Sequence, residues 1–484
     1  MRAVAALSLG IACGIFALVA GMGLTGSWLA AGLLGAAAAG GMALWMHRRP
    51  FVPLDETACT RPLLAVSAAI TLVALVLLAR LAVFMMDPSR VAFAHIPTSR
   101  WEVEHSCLTA YYVAAGAATT RPDIYDDTLY SVPGVDPGKP REALRMGPFR
   151  IDVFEYPPPF LLLPRALMRI TPDFTSLRML WFGLSGFVIL GGMLAVARWL
   201  GPAAGTRALL LSPLVWMALP TIGTLQKGNI QLMVIAASIL AMMLFERGHA
   251  APGGTLLAFV TVSKLYPGLL VIYLLARRRW AAVGWTAAMG MVFAAVTVAD
   301  IGWAPYGQFL DHLPGLLSGE AFPAFRNPAG RAINLSIPGL VFKVGLFGVP
   351  GMSFPAAKAL GWIYTMVAVA AVWYAGRRAG VVKALPMVWM SILILATLRS
   401  PFLPQAYGIF PPLWLLTLLA ATIAPTIRTL SFMLLAWVAL VIEFPVDWPM
   451  DPRVRALISV MPQTVTIALA VLGLRRAIPE GTAP

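Results

Sequence analysis

The chain has 484 residues, of which 59% are hydrophobic and only 12% are charged. Soluble domains are about 45–50% apolar and about 25% charged, so this composition excludes the soluble classes and predicts a polytopic membrane protein. The net charge of +15 at pH 7 is then explained first by short inner loops, where Lys and Arg collect, and not by a nucleic-acid partner.

Long apolar runs predict an all-α fold with about twelve transmembrane helices, because a span needs about 20 apolar residues. The first run is followed at once by a second one, which favours an uncleaved signal anchor over a cleaved signal peptide. The candidate spans lie near residues 3–22, 25–46, 62–86, 176–197, 206–223, 229–245, 281–299, 355–375, 384–398, 405–424, 429–443 and 456–474.

Two further apolar segments do not fit a straight span. Residues 251–276 contain Lys264 and Pro267 near the middle and are followed by three arginines. Two short helical arms that return to the same side would keep those arginines on the inner face, and broken helices of this kind line protein or water-filled cavities. Residues 334–350, which a proline and a lysine interrupt, are predicted to insert only partly.

The predicted spans divide the chain into three parts. Residues 1–61 form an N-terminal transmembrane hairpin and inner loop, residues 62–350 a membrane module, and residues 351–484 the C-terminal transmembrane helices. With both termini inside, the predicted inner loops carry sixteen basic and four acidic residues, a net charge of +12, which supports the orientation. The long outer loop at 87–175 has room for amphipathic interfacial helices, so recognition or chemistry is expected on the outer face.

Cysteine and histidine give no further site. Cys13, Cys59 and Cys107 are far apart, and the five histidines are scattered along the chain. Because no disulfide framework or metal-ligand spacing is present, the sequence predicts neither a metal site nor a bound cofactor.

Lys264 is the clearest candidate functional residue, because an ionisable side chain at membrane depth is costly. At the apex of a broken helix pair its ammonium suits an anionic ligand such as phosphate, although a lysine that snorkels or pairs with one carboxylate is the alternative. The outer turn with Gln226, Lys227, Asn229 and Gln231 is either a head-group site for a donor lipid or an ordinary tight turn.

The outer loop and a later turn supply further polar candidates. Glu104 and His105 stand shortly before a pair of tyrosines, Tyr156 lies in FEYPPPF, and Arg399 lies at a span end beside SPFLPQAY. A carboxylate near the bilayer surface, with its pKa raised by partial desolvation, can act as a general base. The alternative is that most acidic residues of this loop are solvated charges.

Several motifs in these segments resemble those of glycosyltransferase family 87. The motifs are GNIQ at 228–231, SKLYP at 263–267 and RRRW at 277–280, with AYYVAAG, DIYDD and FEYPPPFLLLP upstream and NLSIPG and LRSPFLPQAY downstream. The family consists of polyprenyl-phosphate-sugar-dependent enzymes of the C-type membrane glycosyltransferase superfamily. The resemblance extends over most of residues 105–410 and implies that residues 62–350 form a glycosyltransferase-like module.

The resemblance also implies a general base at one position of the outer loop. The family's acidic base precedes the tyrosines of the first outer loop, but the matching position in this sequence is Cys107. Glu104, one helical turn earlier, is predicted to supply the missing carboxylate. Lys264 would then lie near the donor phosphate, with Gln226, Asn229 and Gln231 lining the same site.

The predicted function is transfer of a mannose-like or arabinofuranose-like sugar from a polyprenyl-phosphate carrier to an envelope glycolipid or glycan, on the periplasmic face of a bacterial inner membrane. Glu104 would deprotonate the acceptor hydroxyl, and Lys264, with Lys227 or Arg399, would stabilise the departing phosphate. His105 and Tyr156 would complete the substrate site. The alternatives are a lipid-linked-sugar flippase or transporter, which would be expected to contain inverted repeats, and an inactive glycosyltransferase-like scaffold.

Overall fold

The structure, a computed structural model, describes residues 2–48, 54–121, 123–133, 142–476 and 478. It is built mainly from α-helices, as the apolar runs predict, with one small β-sheet in the long loop that follows the third helix. The first three helices are α1 (Arg2–Thr25), α2 (Trp28–Arg48) and α3 (Arg61–Met86). They coincide with the first three predicted spans.

The segment between α3 and the next long helix folds into three short helices and a three-stranded sheet. The elements are α4 (Arg100–Glu104), β1 (His105–Ser106), α5 (Cys107–Ala117), β2 (Arg145–Met146), β3 (Phe149–Ile151) and α6 (Leu162–Ile170). Strand β3 is central, parallel to β1 and antiparallel to β2. The parallel register pairs Ser106 with Ile151, so the residues that follow the two strands, Cys107 and Asp152, lie side by side. The short helices were expected from the sequence, whereas the sheet was not.

The segment predicted as a straight span at 206–223 is bent. The helices of this region are α7 (Phe174–Leu200), α8 (Pro202–Leu211), α9 (Pro213–Trp216), α10 (Leu219–Lys227) and α11 (Gln231–Glu246). The axis turns by 63° between α8–α9 and α10. Pro213 and Pro220 each lack a backbone N–H and favour such a break. Because of the bend, α10 ends inside the protein, with Lys227 buried.

The next three helices contain the predicted re-entrant pair. They are α12 (Ala250–Ser263), α13 (Leu269–Ala276) and α14 (Trp280–Ile301). Arg279, just after α13, forms a 2.7 Å ion pair with Glu246, just before α12. Gly254, near the start of α12, packs against Trp285, near the start of α14. The two helices therefore run parallel. Since α13 ends where α12 begins, the two arms return to the same end, and Lys264 lies at the apex between them.

The remaining helices are α15 (Ala304–Ser318), α16 (Pro328–Ala332), α17 (Gly339–Gly345), α18 (Phe354–Arg378), α19 (Leu385–Leu398), α20 (Gln405–Gly408), α21 (Phe410–Ala421), α22 (Ile427–Val441) and α23 (Pro452–Arg475). The segment 334–350 contains only α17, whose seven residues are too few to cross a bilayer. The backbone N–H of Leu335 donates to the carbonyl of Leu403 at 2.8 Å. This segment is therefore anchored to the turn between α19 and α20, as a partial insertion would be.

Seven helices of the described residues are long and apolar enough to cross a membrane, or eight if the bent pair counts as one span. The seven are α1, α2, α3, α7, α14, α18 and α23. The other predicted spans coincide with the shorter apolar helices α11, α19, α21 and α22. The fold is that of a multi-pass helical membrane protein, but the predicted count of about twelve spans is not confirmed.

The loops collect at two opposite ends of the helices. At one end Trp199 Nε1 donates to the carbonyl of Val382 at 2.9 Å, and Arg277 Nη1 donates to the carbonyl of Ala379 at 2.9 Å. The guanidinium of Arg247 lies 5.7 Å from the Trp199 ring. We call this the basic end, because it contains Arg198, Arg247, Arg277, Arg278, Arg279, Arg377, Arg378 and Lys383.

At the opposite end, the long outer segment meets the turns that follow α10, α14, α19 and α22. Ser99 Oγ donates to Asp447 Oδ1 at 2.6 Å, and Arg169 of α6 forms a 2.8 Å ion pair with Asp300 of α14. We call this the cavity end. The grouping of loops into two sets agrees with the predicted topology, in which the long outer segment and the basic loops lie on different sides.

Candidate active site

A cavity of about 790 Å³ opens at the cavity end. Its wall is formed by α4, the end of β3, the turn between α10 and α11, the break between α12 and α13, and the turn after α19. Seven of the nine predicted site residues line it: His105, Tyr156, Lys227, Asn229, Gln231, Lys264 and Arg399. Glu104 and Gln226 do not.

Glu104 lies in a cluster of arginines outside the cavity lining. Its carboxylate accepts hydrogen bonds from Arg100 Nε at 2.9 Å, Arg145 Nη2 at 2.9 Å and Arg150 Nε at 2.8 Å. Partial burial raises the pKa of the Glu104 carboxyl, but the three arginines outweigh it and lower the pKa to about 2. A carboxylate held in this way is a weak proton acceptor, which argues against Glu104 as the general base; that role stays a prediction.

Glu102 and Lys227 form a buried ion pair in the cavity wall. Lys227 Nζ lies 2.7 Å from Glu102 Oε2, and the two side chains are 4% and 7% exposed. Burial raises the pKa of the Glu102 carboxyl, but the neighbouring ammonium of Lys227 outweighs it and holds the pKa below its ordinary value. Because its charge is already neutralised by Glu102, this ion pair argues against the predicted role of Lys227 in holding a phosphate, which stays a prediction.

Gln226 joins the outer segment to the end of α10. Its Oε1 accepts from the backbone N–H of His95 at 2.6 Å, and its Nε2 donates to the carbonyl of Glu102 at 2.7 Å. Gly228 follows at φ +68° as the C-cap of α10, a left-handed conformation that favours glycine. This turn directs Asn229 into the cavity, so Gln226 positions the site instead of lining it.

His105, Cys107 and Asp152 converge on one point of the cavity wall. Tyr407 Oη lies 3.0 Å from both His105 Nε2 and Cys107 Sγ, and Asn229 Nδ2 donates to Cys107 Sγ at 3.3 Å. Asp152 Oδ2 is 3.7 Å from His105 Nε2. The carboxylate of Asp152 therefore stands beside Cys107, the position at which the family resemblance implies an acidic base.

Sequence reasoning did not select Asp152 or Tyr407. The first belongs to a loop with several carboxylates, and only the pairing of β1 with β3 separates it from the others. The second lies about 300 residues after Cys107, the difference in their numbers, and nothing local marks it. A third residue, Glu443, also lines the cavity, where burial and then the charge of Glu102 raise its pKa to about 7.

Lys264 and Arg399 bring positive charge to the cavity without forming ion pairs in the described part of the chain. Lys264 Nζ lies 5.1 Å from the centre of the Tyr156 ring. The guanidinium of Arg399 lies 5.6 Å from the Trp362 ring and donates through Nε to Thr365 Oγ1. An aromatic face holds a cation in place without neutralising it, so both groups can bind an anion that enters the cavity.

The fold and the cavity define a multi-pass membrane protein whose ionisable groups face one opening between its helices. Residues 154–401 match the family model of glycosyltransferase family 87, which is slightly more than half of the chain. The chain therefore belongs to glycosyltransferase family 87 and is a membrane glycosyltransferase. No curated protein and no solved structure gave a match. The matched range includes Tyr156, Lys264 and Arg399 but begins after His105, Cys107 and Asp152.

Proposed function

We propose that the protein transfers a sugar from a polyprenyl-phosphate carrier to a hydroxyl of an envelope glycolipid or glycan. The observation that carries this proposal is the combination of charges in one cavity: Lys264 and Arg399, which form no ion pair with a described residue, and the Asp152 carboxylate beside Cys107. A donor phosphate needs the first two groups, and deprotonation of the acceptor needs the third.

A lipid-linked donor fits the apolar part of the cavity. Leu265 and Trp362 line the cavity and are 53% and 52% exposed, which supports a cavity wall with an opening towards the membrane. Phe309 and Leu316 of α15 continue the apolar lining. A donor that carries its own hydrocarbon chain could thus enter from the bilayer while its phosphate meets Lys264.

In the proposed reaction the oxygen of the acceptor hydroxyl forms a bond to the anomeric carbon of the sugar. The bond from that carbon to the phosphate oxygen breaks, and its electron pair leaves with the phosphate. The hydroxyl proton moves to Asp152. Lys264 and Arg399 stabilise the negative charge on the departing phosphate, and a single direct displacement of this kind inverts the configuration at the anomeric carbon.

The proposed location is a bacterial inner membrane with the cavity end on the periplasmic side. Arginine and lysine concentrate at the basic end, which would lie in the cytoplasm according to the positive-inside rule. Polyprenyl-phosphate sugars and envelope acceptors would then meet at the outer face.

The test is transfer of radiolabelled sugar in proteoliposomes, with mannosyl and arabinofuranosyl polyprenyl phosphates offered separately. Lys264→Met should lower the rate by about 10²–10³-fold, the magnitude typical for loss of one group that stabilises transition-state charge. Lys343→Met is the control, because Lys343 is a buried lysine outside the cavity lining, where its Nζ donates to Gln463 Oε1 at 3.2 Å.

Two outcomes would contradict the proposal. Wild-type protein that transfers neither sugar, although it is folded and reconstituted, would refute the donor class. Equal losses of transfer rate in Lys264→Met and Lys343→Met would show that the loss in Lys264→Met comes from damage to the fold and not from a missing contact to the phosphate.

A further inference from the structure

We propose that His105, Cys107 and Asp152 form a binding site for Zn²⁺. Each residue offers one ligand atom, and the three atoms lie within 4.8 Å of one another. His105 Nε2 is 3.6 Å from Cys107 Sγ and 3.7 Å from Asp152 Oδ2. Tetrahedral coordination with ordinary Zn–N, Zn–S and Zn–O bonds places neighbouring ligand atoms about 3.3–3.6 Å apart, so the two distances from His105 Nε2 are already close to those of ligands that share one ion.

The contacts among the three side chains fit a shared ion better than a catalytic triad. In a Cys–His–Asp triad the thiol and the carboxylate face different ring nitrogens, because one nitrogen accepts a proton while the other donates. Here the sulfur and the carboxylate both face Nε2 of His105. The distance between Nε2 and Oδ2 is also too long for a hydrogen bond, whereas it suits two ligands of one metal.

The residues around the three side chains and the types of ligand atom also fit a zinc site. Asn229 Nδ2 donates to Cys107 Sγ at 3.3 Å, the kind of outer contact that orients a thiolate ligand. Imidazole and thiolate together favour Zn²⁺ over Mg²⁺ or Ca²⁺. All three residues line the cavity, and the hydroxyl of Tyr407 lies 3.0 Å from both His105 Nε2 and Cys107 Sγ, so a bound ion would either lie beside this hydroxyl or displace it. His105 lies in β1, Cys107 just after it and Asp152 just after β3, so the pairing of the two strands, and not a spacing in the sequence, brings the third ligand to the other two.

Zinc binding would oppose glycosyl transfer, and this consequence rests on the proposed function. When Asp152 is a ligand of the ion, the positive charge of Zn²⁺ lowers the basicity of the whole carboxylate, which then takes the proton of the acceptor hydroxyl less readily. Zn²⁺ and acceptor deprotonation therefore compete for one carboxylate.

The direct test uses Co²⁺ as a spectroscopic substitute for Zn²⁺ in the purified full-length chain. Co²⁺ should bind with a stoichiometry near one and give a thiolate-to-cobalt charge-transfer absorption that excess Zn²⁺ removes. Cys107→Ser should eliminate that absorption, and Cys13→Ser and Cys59→Ser should retain it. Asn229→Ala should keep the absorption but weaken the affinity by about 10–100-fold.

The site is refuted if wild-type protein gives no thiolate absorption, or if the absorption survives in Cys107→Ser. The Asn229→Ala result does not depend on the folding of the Cys107 variant, and unchanged affinity in it would also count against the site.

Transfer assays separate this inference from the proposed function. Zn²⁺ should inhibit the wild-type protein and a chelator should restore it, while Cys107→Ser should lose the inhibition relative to its own metal-free rate. A cobalt absorption without inhibition by zinc would keep the metal site and overturn Asp152 as the base. Normal transfer without a cobalt absorption would overturn the metal site and leave the proposed function.

Discussion

Lys227 and Lys264 are both lysines of the cavity wall, but the first contacts a carboxylate and the second an aromatic ring. Lys227 lies 2.7 Å from Glu102, and removing either member of a buried pair costs about 3–5 kcal/mol because a charge is left uncompensated. This pair therefore fixes the outer segment to the end of α10. Lys264 faces the Tyr156 ring and forms no ion pair with any described residue, and an ammonium kept in this way at a cavity is best explained by a ligand.

The roles of Asp152 and Glu104 can be compared directly by substitution, because both are acidic residues of the outer segment. Asp152→Asn should lower the transfer rate by about 10²–10⁴-fold, the usual contribution of a general base. Glu104→Gln should retain most of the transfer activity, since its carboxylate lies among three arginines outside the cavity. Initial rates at saturating donor would measure both variants.

The opposite pattern, with Glu104→Gln inactive and Asp152→Asn active, would restore Glu104 as the base. Glu443→Gln provides the third arm of the experiment, because Glu443 also lines the cavity. Loss of activity in that variant alone would assign the proton transfer to Glu443.

The re-entrant helix pair α12–α13 determines the position of Lys264, which lies at its apex. The pair is held by its neighbour α14, against which α12 packs with very little space. An added Cβ at Gly254 would lie 2.6 Å from Trp285 Cβ and 2.8 Å from the Trp285 carbonyl carbon. Since part of this contact is backbone, a larger residue can be accepted only if the two helices move apart. The close approach therefore positions the apex and its lysine.

Gly254→Ala should thus destabilise the protein by about 1–3 kcal/mol, the cost typical of overpacking, and should reduce transfer by displacing Lys264. Gly284→Ala is the matched control, because Gly284 lies in α14 with open space around its α-carbon. Thermal unfolding in detergent would measure the difference in midpoint temperature. Similar midpoints for the two variants would show that the α12–α14 contact does not hold the re-entrant pair.

The unequal distribution of basic residues between the two ends of the molecule supports the proposed orientation. The basic end gathers the arginine-rich loops, and the cavity end gathers the sheet, the short helices and the ionisable site. Positive residues near span ends favour the cytoplasmic side. The cavity is then presented to the outer face, where a lipid-linked sugar and an envelope acceptor can both reach it.

Cysteine labelling in intact cells tests this orientation. In a background without native cysteines, Arg326→Cys at the cavity end should react with a membrane-impermeant maleimide, since residue 326 is exposed. His249→Cys at the basic end is equally exposed and should react only after the cells are permeabilised. The reverse pattern would place the cavity in the cytoplasm and exclude a periplasmic acceptor.

The class of the protein follows from local properties of the sequence. The length and apolar character of each run determine whether it can form a membrane helix; the predicted spans fall on helical segments, although only seven or eight of the described helices are long enough to cross a membrane. The break at Lys264 and Pro267 is also local, so the re-entrant pair and the cavity lysine could be predicted. Motifs such as GNIQ and SKLYP indicated the family, which the match to residues 154–401 confirmed.

Other properties depend on contacts between segments that are far apart in the chain, and only the tertiary structure decided them. The pairing of β1 with β3 brings Asp152 beside Cys107. Three arginines, two of them more than 40 residues away, surround Glu104, and Glu102 neutralises Lys227. A sequence shows which residues carry charge, but the energy of each charge depends on its partners in space. For that reason the sequence determined the class of this enzyme, whereas the fold determined which of its carboxylates and lysines are already paired with an opposite charge.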